Sequence, residues 1–226
     1  MIITIFQTMG GEGKSTLSRN IAYNKFFIKK FDSIALIELD RQGDTQEWLK
    51  TRNTKNKVEY LFLPETNPTK LKSALNDIIS RNEIVILDCP GEGEVDFSSS
   101  LALNLGDLVL IPMRTSRKAR SLFVSKQWNE IEKFLKDKTF VIVPSFIPPQ
   151  TKPDTIIKHF KGIIPEIQCL NSMFYNRNTY ENCEEGGLTL EEYARSVKNN
   201  KSMYKKALAA LNDMNNITKN ILELIT

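Results

Sequence analysis

The chain has 226 residues, 41% of them hydrophobic and 26% charged, which is typical of a folded globular protein and excludes a disordered or fibrous one. Lysine and arginine number 31 against 27 aspartates and glutamates, so affinity for a polyanion has to come from where the charges lie and not from their total. A chain of this length buries a core without disulfides, and we predict one domain spanning 1–226.

Cysteine usage and the N-terminus favour a cytoplasmic location. Cys89, Cys169 and Cys183 form neither a Cys-x-x-Cys pair nor a dense disulfide pattern. The segment after Met1 lacks the cationic start and apolar run of a signal peptide, and no apolar run reaches the roughly 18 residues of a membrane span. We therefore predict a reduced, cytoplasmic protein with no stable membrane insertion.

Short β-branched segments alternate with segments of helical periodicity along most of the chain. This alternation predicts a doubly wound α/β fold, with a mostly parallel sheet and helices on both faces. The predicted strands are Ile2–Phe6, Ser33–Leu39, Val58–Leu63, Glu83–Cys89, Asp107–Pro112, Thr139–Pro144 and Glu166–Leu170. The predicted helices are Lys14–Lys30, Thr45–Thr51, Pro68–Arg81, Ser98–Leu105, Ser116–Lys136, Thr155–Lys161, Leu188–Lys198 and Ser202–Ile225.

A glycine-rich segment follows the first strand and opens a helix, which is the context of a P-loop. In such a loop, glycines let backbone N–H groups turn inward around phosphate oxygens, the lysine reaches the β- and γ-phosphates, and the hydroxyl after it can ligate Mg²⁺. Thr8 stands where the standard pattern has glycine. The predicted nucleotide-binding residues of this segment are Gly10, Gly11, Glu12, Gly13, Lys14, Ser15 and Thr16.

Two aspartates stand at the ends of predicted strands. Asp40 follows the second strand, and Asp88 ends the fourth, before Cys89-Pro90-Gly91. Open α/β sheets bind ligands at the carboxyl ends of their strands, so both carboxylates should lie near the phosphate loop. The alternative is that each only caps the helix that follows it.

These segments resemble those of the ParA/MinD family of partition and positioning ATPases. The loop is similar to the family's deviant Walker A box, Asp40-Arg41-Gln42-Gly43 to its Asp-Pro-Gln-Gly segment, and Ile84–Gly91 to its Walker B segment. Asn176–Tyr180 and Glu185–Tyr193 resemble later family segments, so the resemblance runs in order from about residue 2 to 195.

The resemblance implies an ATPase that uses ATP and Mg²⁺. By this resemblance, Lys14 and Asp40 are catalytic, and Ser15, Asp40 and Asp88 hold the metal. It also implies that Pro148 lies in the loop that contacts the adenine. The implied partners are a second copy of the chain in the presence of ATP, non-specific DNA, and a separate adaptor or centromere-binding protein that stimulates hydrolysis. The implied location is cytoplasmic, on the nucleoid.

One departure from the family concerns catalysis. The family's signature lysine reaches the partner's nucleotide across the dimer, and Met9 occupies its position here. Hydrolysis is then very slow, or another cation is supplied in trans. Some carboxysome-positioning relatives also lack this lysine, and by resemblance to them Lys152 is the candidate, with Arg114 or Arg117 as alternatives. Glu12 is a second departure, and we expect its carboxylate to point outward, to solvent or to a dimer partner.

Basic residues are concentrated near the C-terminus, where five of them lie within Arg195–Lys206. In the resembled family such residues hold DNA through its phosphates. The predicted DNA-binding residues are Lys198, Lys201, Lys205 and Lys206, and the alternative is an ordinary solvated face. The apolar stripe within Asn216–Thr226 is predicted to pack in the core, because Lys219 is its only cation and gives it little attraction to an anionic membrane.

The preferred prediction is a ParA-like ATPase that distributes plasmid or other cargo over nucleoid DNA. A nucleotide-gated switch that barely hydrolyses ATP, because of Met9, and a MinD-like membrane-associated ATPase remain alternatives. A biosynthetic or redox enzyme on the same fold is disfavoured, because the sequence shows neither a substrate signature nor cysteines set to hold a cluster. Cys89 is predicted to be buried packing.

Overall fold

The computed structural model describes residues 1–52, 57–91, 95–116, 121, 123, 128–133, 138–162 and 167–225. The strands are β1 (Ile2–Ile5), β2 (Ile34–Glu38), β3 (Val58–Phe62), β4 (Ile84–Asp88), β5 (Leu108–Met113), β6 (Thr139–Pro144) and β7 (Gln168–Cys169). The helices are α1 (Lys14–Ala22), α2 (Lys25–Lys30), α3 (Asp44–Lys50), α4 (Pro68–Arg81), α5 (Phe97–Leu105), α6 (Trp128–Glu132), α7 (Pro153–Lys161), α8 (Thr179–Glu185), α9 (Leu190–Ser196) and α10 (Lys201–Ile225).

The strands form one sheet in the order β3-β2-β4-β1-β5-β6-β7, and every described pairing is parallel. The predicted doubly wound α/β fold is therefore confirmed. The chain starts in the middle of the sheet with β1, fills one side with β2 to β4, and then fills the other with β5 to β7. Connections that diverge beside a central strand leave a crevice at the carboxyl ends of the strands.

Alternate residues along the strands enter two separate cores, one on each face of the sheet. Ile3 and Ile5 of β1 pack in the core that contains α1, α8, α9 and α10. Ile2 and Phe6 pack in the core that contains α4, α5 and α7. Both faces of the central strands are covered, which explains why these strands are apolar at successive positions.

The predicted helix Lys14–Lys30 is wrong in one respect, because the chain forms two helices there. The side chain of Asn24 accepts a hydrogen bond from the N–H of Phe26, which caps α2. Its amide nitrogen donates to Asn215 of α10 at 3.0 Å. An asparagine side chain that competes for backbone N–H groups favours a helix start over a helix interior.

Other boundaries also differ from the sequence-based expectations. Helix α8 was not predicted, and the helix predicted from Leu188 begins at Leu190, after a capping box between Thr189 and Glu192. Within the predicted helix Ser116–Lys136, α6 is described, while 117–120, 122, 124–127 and 134–136 lie outside the described residues. Residue 166, the predicted start of the last strand, lies outside them as well.

The C-terminal apolar stripe packs against the core, as predicted. Ile217 and Ile221 of α10 are fully buried, and Leu224 and Ile225 are partly buried against the same cluster. In the part of the chain that the structure describes, no helix has the length and apolar character needed to span a bilayer.

Candidate nucleotide-binding site

The loop between β1 and α1 requires glycine at two positions. Gly11 and Gly13 have φ of +74° and +96°, in the left-handed region where a side chain is strained. A Cβ on Gly13 would also lie 2.8 Å from the rings of Phe146 and Phe174. Gly13 directly precedes Lys14, the first residue of α1, so the loop leads into the positive end of a helix.

This loop forms one wall of a cavity of about 260 Å³ at the carboxyl ends of the strands. The cavity brings Asp40 to the phosphate loop, as the sequence predicted, and adds Asn176, Arg177 and Tyr180 from the later segment, whose place the sequence did not predict. Its lining is Gly10, Gly11, Gly13, Lys14, Ser15, Thr16, Arg19, Asp40, Gln42, Asp44, Gly91, Arg114, Phe146, Asn176, Arg177, Tyr180, Glu181 and Glu184.

Lys14 is held between its own loop and the segment after β4. Its Nζ donates to the carbonyl oxygen of Met9 at 3.4 Å. A Cβ on Gly91 would lie 2.5 Å from the same Nζ, so the chain at Gly91 passes directly against the ammonium group. The side chain is therefore buried and positioned before any ligand arrives.

Asp40 connects the segments that follow β2 and β4. Its Oδ1 accepts from the N–H of Gln42 at 3.0 Å, and its Oδ2 accepts from the N–H of Gly91 at 3.2 Å. These bonds make Asp40 a bridge across the cavity mouth. The alternative that it caps α3 is not what the structure shows, because Gly43 is the N-cap residue of that helix.

The cap of α3 is provided instead by Glu38, which sequence reasoning missed. Its carboxylate accepts from the N–H groups of Thr45 at 2.8 Å and Gln46 at 3.0 Å, and from the hydroxyl of Tyr60. Burial raises the pKa of Glu38, although these hydrogen bonds lower it. The only signal in the sequence was a glutamate at the end of an apolar strand.

Asp88 is fully buried behind the phosphate loop. Its Oδ2 accepts from the hydroxyl of Ser18 at 2.9 Å. Burial raises the pKa of Asp88 to about 6, against the charge of Lys14 and the Ser18 hydrogen bond, which lower it. Its Oδ1 has no hydrogen-bond partner among the described residues.

The oxygens of Ser15, Asp40 and Asp88 are hard ligands of the kind that Mg²⁺ takes, either directly or through water. The orphaned Oδ1 of Asp88 fits this role, because a buried acceptor without a partner is costly. The described residues contain no group of three His, Cys, Asp or Glu set to hold a metal by themselves. A magnesium ion here would therefore need phosphate oxygens and water to complete its coordination, as in other phosphate sites.

Glu12 does not point outward, so that expectation is wrong. The residue is 3% exposed, and its Oε2 accepts from the N–H of Arg114 at 2.7 Å. Burial raises the pKa of Glu12, while the Arg114 hydrogen bond and the charges of Arg114 and Lys14 lower it. The carboxylate thus fastens the phosphate loop to the end of β5.

Aromatic residues pack against the phosphate loop at Gly13. Phe146 has a φ of 46°, in the left-handed region, and its ring packs edge-on against Phe174 and Tyr180. The guanidinium of Arg114 lies 4.5 Å from the centroid of the Phe146 ring. Strained backbone positions of this kind concentrate at ligand sites.

Arg19 and Glu184 are cavity residues that sequence reasoning missed. Arg19 is buried, pairs with the carboxylate of Glu184, and donates to the carbonyl oxygen of Asp44 at 3.2 Å. The hydroxyl of Thr16 donates to the same carboxylate at 3.0 Å. The predicted phosphate-binding Thr16 is therefore engaged by Glu184 in this structure.

Several predicted residues lie away from the cavity. Pro148 and Lys152 are exposed, and of their loop only Phe146 lines the cavity. Arg117 lies outside the described residues.

The predicted DNA-binding residues Lys198, Lys201, Lys205 and Lys206 are all exposed, before and within the first turns of α10. Cys89 is fully buried, and burial raises its thiol pKa well above the usual range, as expected for packing.

No protein-family model and no curated protein matches the chain. Solved structures do match it. The apo form of McdA from Cyanothece is 13% identical, with a TM-score of 0.66, and the match covers 94% of this chain and 98% of that chain. A plasmid partition protein from Borrelia burgdorferi bound to AMPPNP is 17% identical, with a TM-score of 0.64 and coverages of 94% and 97%. The MinD cell division protein from Aquifex aeolicus is 14% identical, with a TM-score of 0.65 and coverages of 98% and 97%.

The same fold also occurs in a cobyrinic acid a,c-diamide synthase from Mycobacterium smegmatis with bound ADP and magnesium, at 15% identity and a TM-score of 0.61 over 91% of this chain and 96% of that one. Likeness at these identities establishes the fold, and activity has to be argued from the site. The chain has the P-loop fold of the ParA/MinD-type partition and positioning ATPases.

Proposed function

We propose that residues 1–226 form a single ParA-like ATPase domain that binds ATP and Mg²⁺, dimerises with ATP and positions plasmid or other cargo. In this proposal the dimer holds DNA without sequence preference, and a separate adaptor stimulates hydrolysis and release. The observation that carries the proposal is the convergence of the Gly11–Gly13 loop, Lys14 and Asp40 around one cavity, with Asp88 buried beside Lys14.

The phosphate end of the cavity supplies positive charge and hydrogen-bond donors. Lys14 and the backbone N–H groups that open α1 would bind the phosphates, as P-loops do. Ser15 and Asp88 would hold the metal, which supplies charge neutralisation and Lewis acidity when bound. Asp40, already fixed by Gln42 and Gly91, would orient the attacking water through the oxygen lone pairs that its backbone hydrogen bonds leave free.

The charge that Met9 cannot supply has to come from elsewhere. We propose that Lys152 of one protomer supplies it to the partner's nucleotide, because Lys152 is exposed, precedes α7 and lies outside the cavity of its own chain. Arg114 remains the alternative in the same chain, since it lines the cavity.

Exposed lysines at the start of α10 support the DNA-binding part of the proposal. Lys201, Lys205 and Lys206 lie in the first two turns of the helix, and its first turn contains no acidic residue. Lysines at this end oppose the helix dipole, so they do not serve the stability of the helix. They do add to its positive end, which favours sequence-independent contact with DNA phosphates.

The proposal is tested by measuring binding to a random-sequence duplex at low and moderate salt, without nucleotide, with ADP and with ATP and Mg²⁺. Sedimentation of the protein in each state follows dimerisation. We expect DNA binding and dimers only with ATP, and neither in Lys14→Ala. An absence of any ATP response in the native chain would overturn the proposal, and dimers without DNA affinity would remove its DNA-binding part.

The role of Lys152 has its own test. Lys152→Ala should reduce ATP turnover while leaving ATP affinity unchanged, because the lysine acts on the partner's nucleotide. Lys158→Ala is the matched control, since Lys158 is an exposed lysine on α7. Unchanged dimerisation and turnover in Lys152→Ala would rule the role out and direct attention to Arg114→Ala.

A second candidate function is a nucleotide-gated switch with little hydrolysis, which Met9 favours. Turnover in the presence of DNA and the stimulating partner separates the two functions. The MinD-like membrane alternative loses its main support, because the C-terminal stripe it would use is packed in the core.

A further inference from the structure

We propose that the groove between α8 and the start of α10 is a second contact for the DNA backbone, beside the exposed lysines. This inference rests on the proposed DNA binding and extends it to residues that the sequence did not single out. The groove has a volume of about 410 Å³. Its lining is Asn176, Arg177, Asn178, Thr179, Asn182, Tyr193, Met203 and Lys206.

The chemistry of the lining selects a ligand rich in acceptors. Every lining residue except Met203 carries a side-chain N–H or O–H donor, and no acidic residue is among those that line it. The nucleotide cavity differs, because Asp40, Asp44, Glu181 and Glu184 line it together with its cations. A duplex backbone, with one anionic phosphate per nucleotide, matches a groove of donors without carboxylates.

The groove continues the basic surface of α10. Lys206 lines it, and the exposed Lys201 and Lys205 lie within one or two turns of it on the same helix. Met203 and Tyr204, exposed by 38% and 36%, lie between these lysines. In a polar groove beside the lysines, uncharged amide groups can donate hydrogen bonds to the DNA phosphates in addition to the charged contacts. Such hydrogen bonds fix the position of the DNA backbone on the protein.

The groove also shares a wall with the nucleotide cavity. Asn176 and Arg177 line both. The Nε of Arg177 pairs with Oδ2 of Asp213 on α10 at 2.8 Å, and the N–H of Tyr175 donates to the same oxygen at 3.4 Å. Arg177 therefore contacts both the nucleotide cavity and α10, so a nucleotide that displaces Arg177 would act on the groove and on α10 together, and we expect DNA affinity to depend on nucleotide.

The experiment compares Asn178→Asp with Asn104→Asp by fluorescence anisotropy on a random-sequence duplex, with ATP and Mg²⁺. Both residues are exposed and both changes add one negative charge, but Asn104 lies on α5, which packs in the other core. Asn178 precedes α8, where aspartate serves as well as asparagine, so folding should be retained. We expect Asn178→Asp to weaken DNA binding about fivefold to tenfold relative to the control, with ATP affinity unchanged.

If Asn178→Asp and Asn104→Asp change DNA binding equally while Lys205→Ala still weakens it, the groove is not a DNA contact, and the proposed function is unaffected. Failure of the native chain to bind DNA in any nucleotide state would overturn the DNA-binding proposal itself. The coupling is measured in the native chain by amide hydrogen exchange of 176–182 and 201–206 with and without ATP and Mg²⁺. We expect changed protection in both segments. Unchanged exchange at 201–206, despite saturating nucleotide, would overturn the coupling.

Discussion

Glu12 places a carboxylate inside the phosphate loop, where the ligand is itself an anion. Its hydrogen bond from Arg114 fastens the loop to β5, but burial outweighs that bond and raises its pKa. The folded chain therefore binds this proton more tightly than the unfolded chain does. The free energy of unfolding therefore falls as the pH rises from the pKa that Glu12 has in the unfolded chain to the higher pKa that it has in the folded chain. Above both pKa values the destabilisation by the buried carboxylate is complete.

Replacing this carboxylate by an amide should stabilise the chain at neutral pH. In Glu12→Gln the amide oxygen can still accept from Arg114, and the charge is gone. We expect a higher Tm than native at pH 7, a difference that shrinks as the pH falls toward 4.5, the ordinary glutamate value. ATP should bind about threefold to tenfold more tightly, because one negative charge leaves the loop.

Thermal unfolding across this pH range, with ATP titrations at pH 7, checks both expectations for Glu12→Gln. Glu185→Gln is the control, because Glu185 is exposed on α8 and should show no such pH-dependent difference. A Tm at pH 7 equal to or below native would mean that the Arg114 bond outweighs the burial of the carboxylate.

Gly91 controls the position of the phosphate-loop lysine. Its absent Cβ leaves room for the Nζ of Lys14, which a Cβ would approach to 2.5 Å. Because that atom is the far end of a flexible side chain, with only a long hydrogen bond to Met9, Gly91→Ala should displace the ammonium at little cost to folding. We expect ATP affinity to fall at least about tenfold, with stability changed by less than about 1 kcal/mol.

Isothermal titration with ATP, together with thermal unfolding, tests Gly91→Ala. Gly162→Ala at the end of α7 is the matched control, since a Cβ there meets only ordinary contacts at 3.5 Å. Native affinity in Gly91→Ala would show that Lys14 reaches the phosphates by another route.

The sequence predicted the residues whose geometry is local. Gly10, Gly11, Gly13, Lys14 and Ser15 line the cavity from one continuous loop, and Asp88 ends an apolar strand, so their positions follow from local sequence. Glu184 could not be predicted, because its partner Arg19 is 165 positions away and no local spacing connects them. The inward turn of Glu12 depends on Arg114 in the same way, since the two are 102 positions apart.

At the scale of elements, one arginine joins the chain just after α3 to α9. The side chain of Arg52 is buried, and its guanidinium donates to Glu192 at 2.9 and 3.1 Å. The guanidinium also stacks 4.6 Å from Trp48 and 5.2 Å from Tyr23. Gly187 packs so closely on Thr51 that a Cβ would lie 2.2 Å from its hydroxyl oxygen. The helix that follows Asp40 is thereby fixed to the C-terminal part of the chain.

Removing this side chain should be costly. Arg52→Ala leaves the carboxylate of Glu192 without its ionic partner and removes two aromatic contacts, so we expect a loss of about 2–3 kcal/mol in unfolding free energy. Lys50→Ala should cost less than about 0.5 kcal/mol. The side chains of Lys50 and its partner Glu47 are 60% and 68% exposed, so water replaces the lost contact. Chemical denaturation measures the free energy of unfolding of both variants. Equal losses in Arg52→Ala and Lys50→Ala would show that the contacts of the Arg52 side chain contribute no more stability than an exposed ion pair.

Helices and strands were predictable where the same apolar pattern continues along the whole element. The strands are apolar at successive positions because both faces are covered, and each was predicted to within a few residues. The division between α1 and α2 was missed, although its cap is local, since the side chain of Asn24 accepts from the N–H of Phe26 two residues later. Helix α8 was missed because its sequence is largely polar and buries only Thr179, Tyr180 and Cys183, so it shows no apolar helical pattern.

For the whole molecule, the distribution of charge matters more than its sum. The formal net charge is only +4, yet α10 presents exposed lysines at one end of the core that it shares with α1. Helix α4 also has two exposed lysines, Lys70 and Lys72, but it packs in the core on the other face of the sheet. Reversing either pair changes the total charge equally, so the two changes separate position from amount.

We expect Lys201→Glu/Lys205→Glu to weaken duplex binding with ATP by about tenfold or more at moderate salt, because each lost phosphate contact also removes about 0.9 from the slope of log K against log salt. Lys70→Glu/Lys72→Glu should leave that slope unchanged and shift affinity only slightly. Anisotropy titrations from about 50 to 200 mM salt measure both quantities. If the two double variants lost affinity equally, the interaction would depend on net charge alone and α10 would not be its surface. A lower slope confined to the α10 variant is the result that a local phosphate contact requires, because counterions are released only where the lysines meet the backbone.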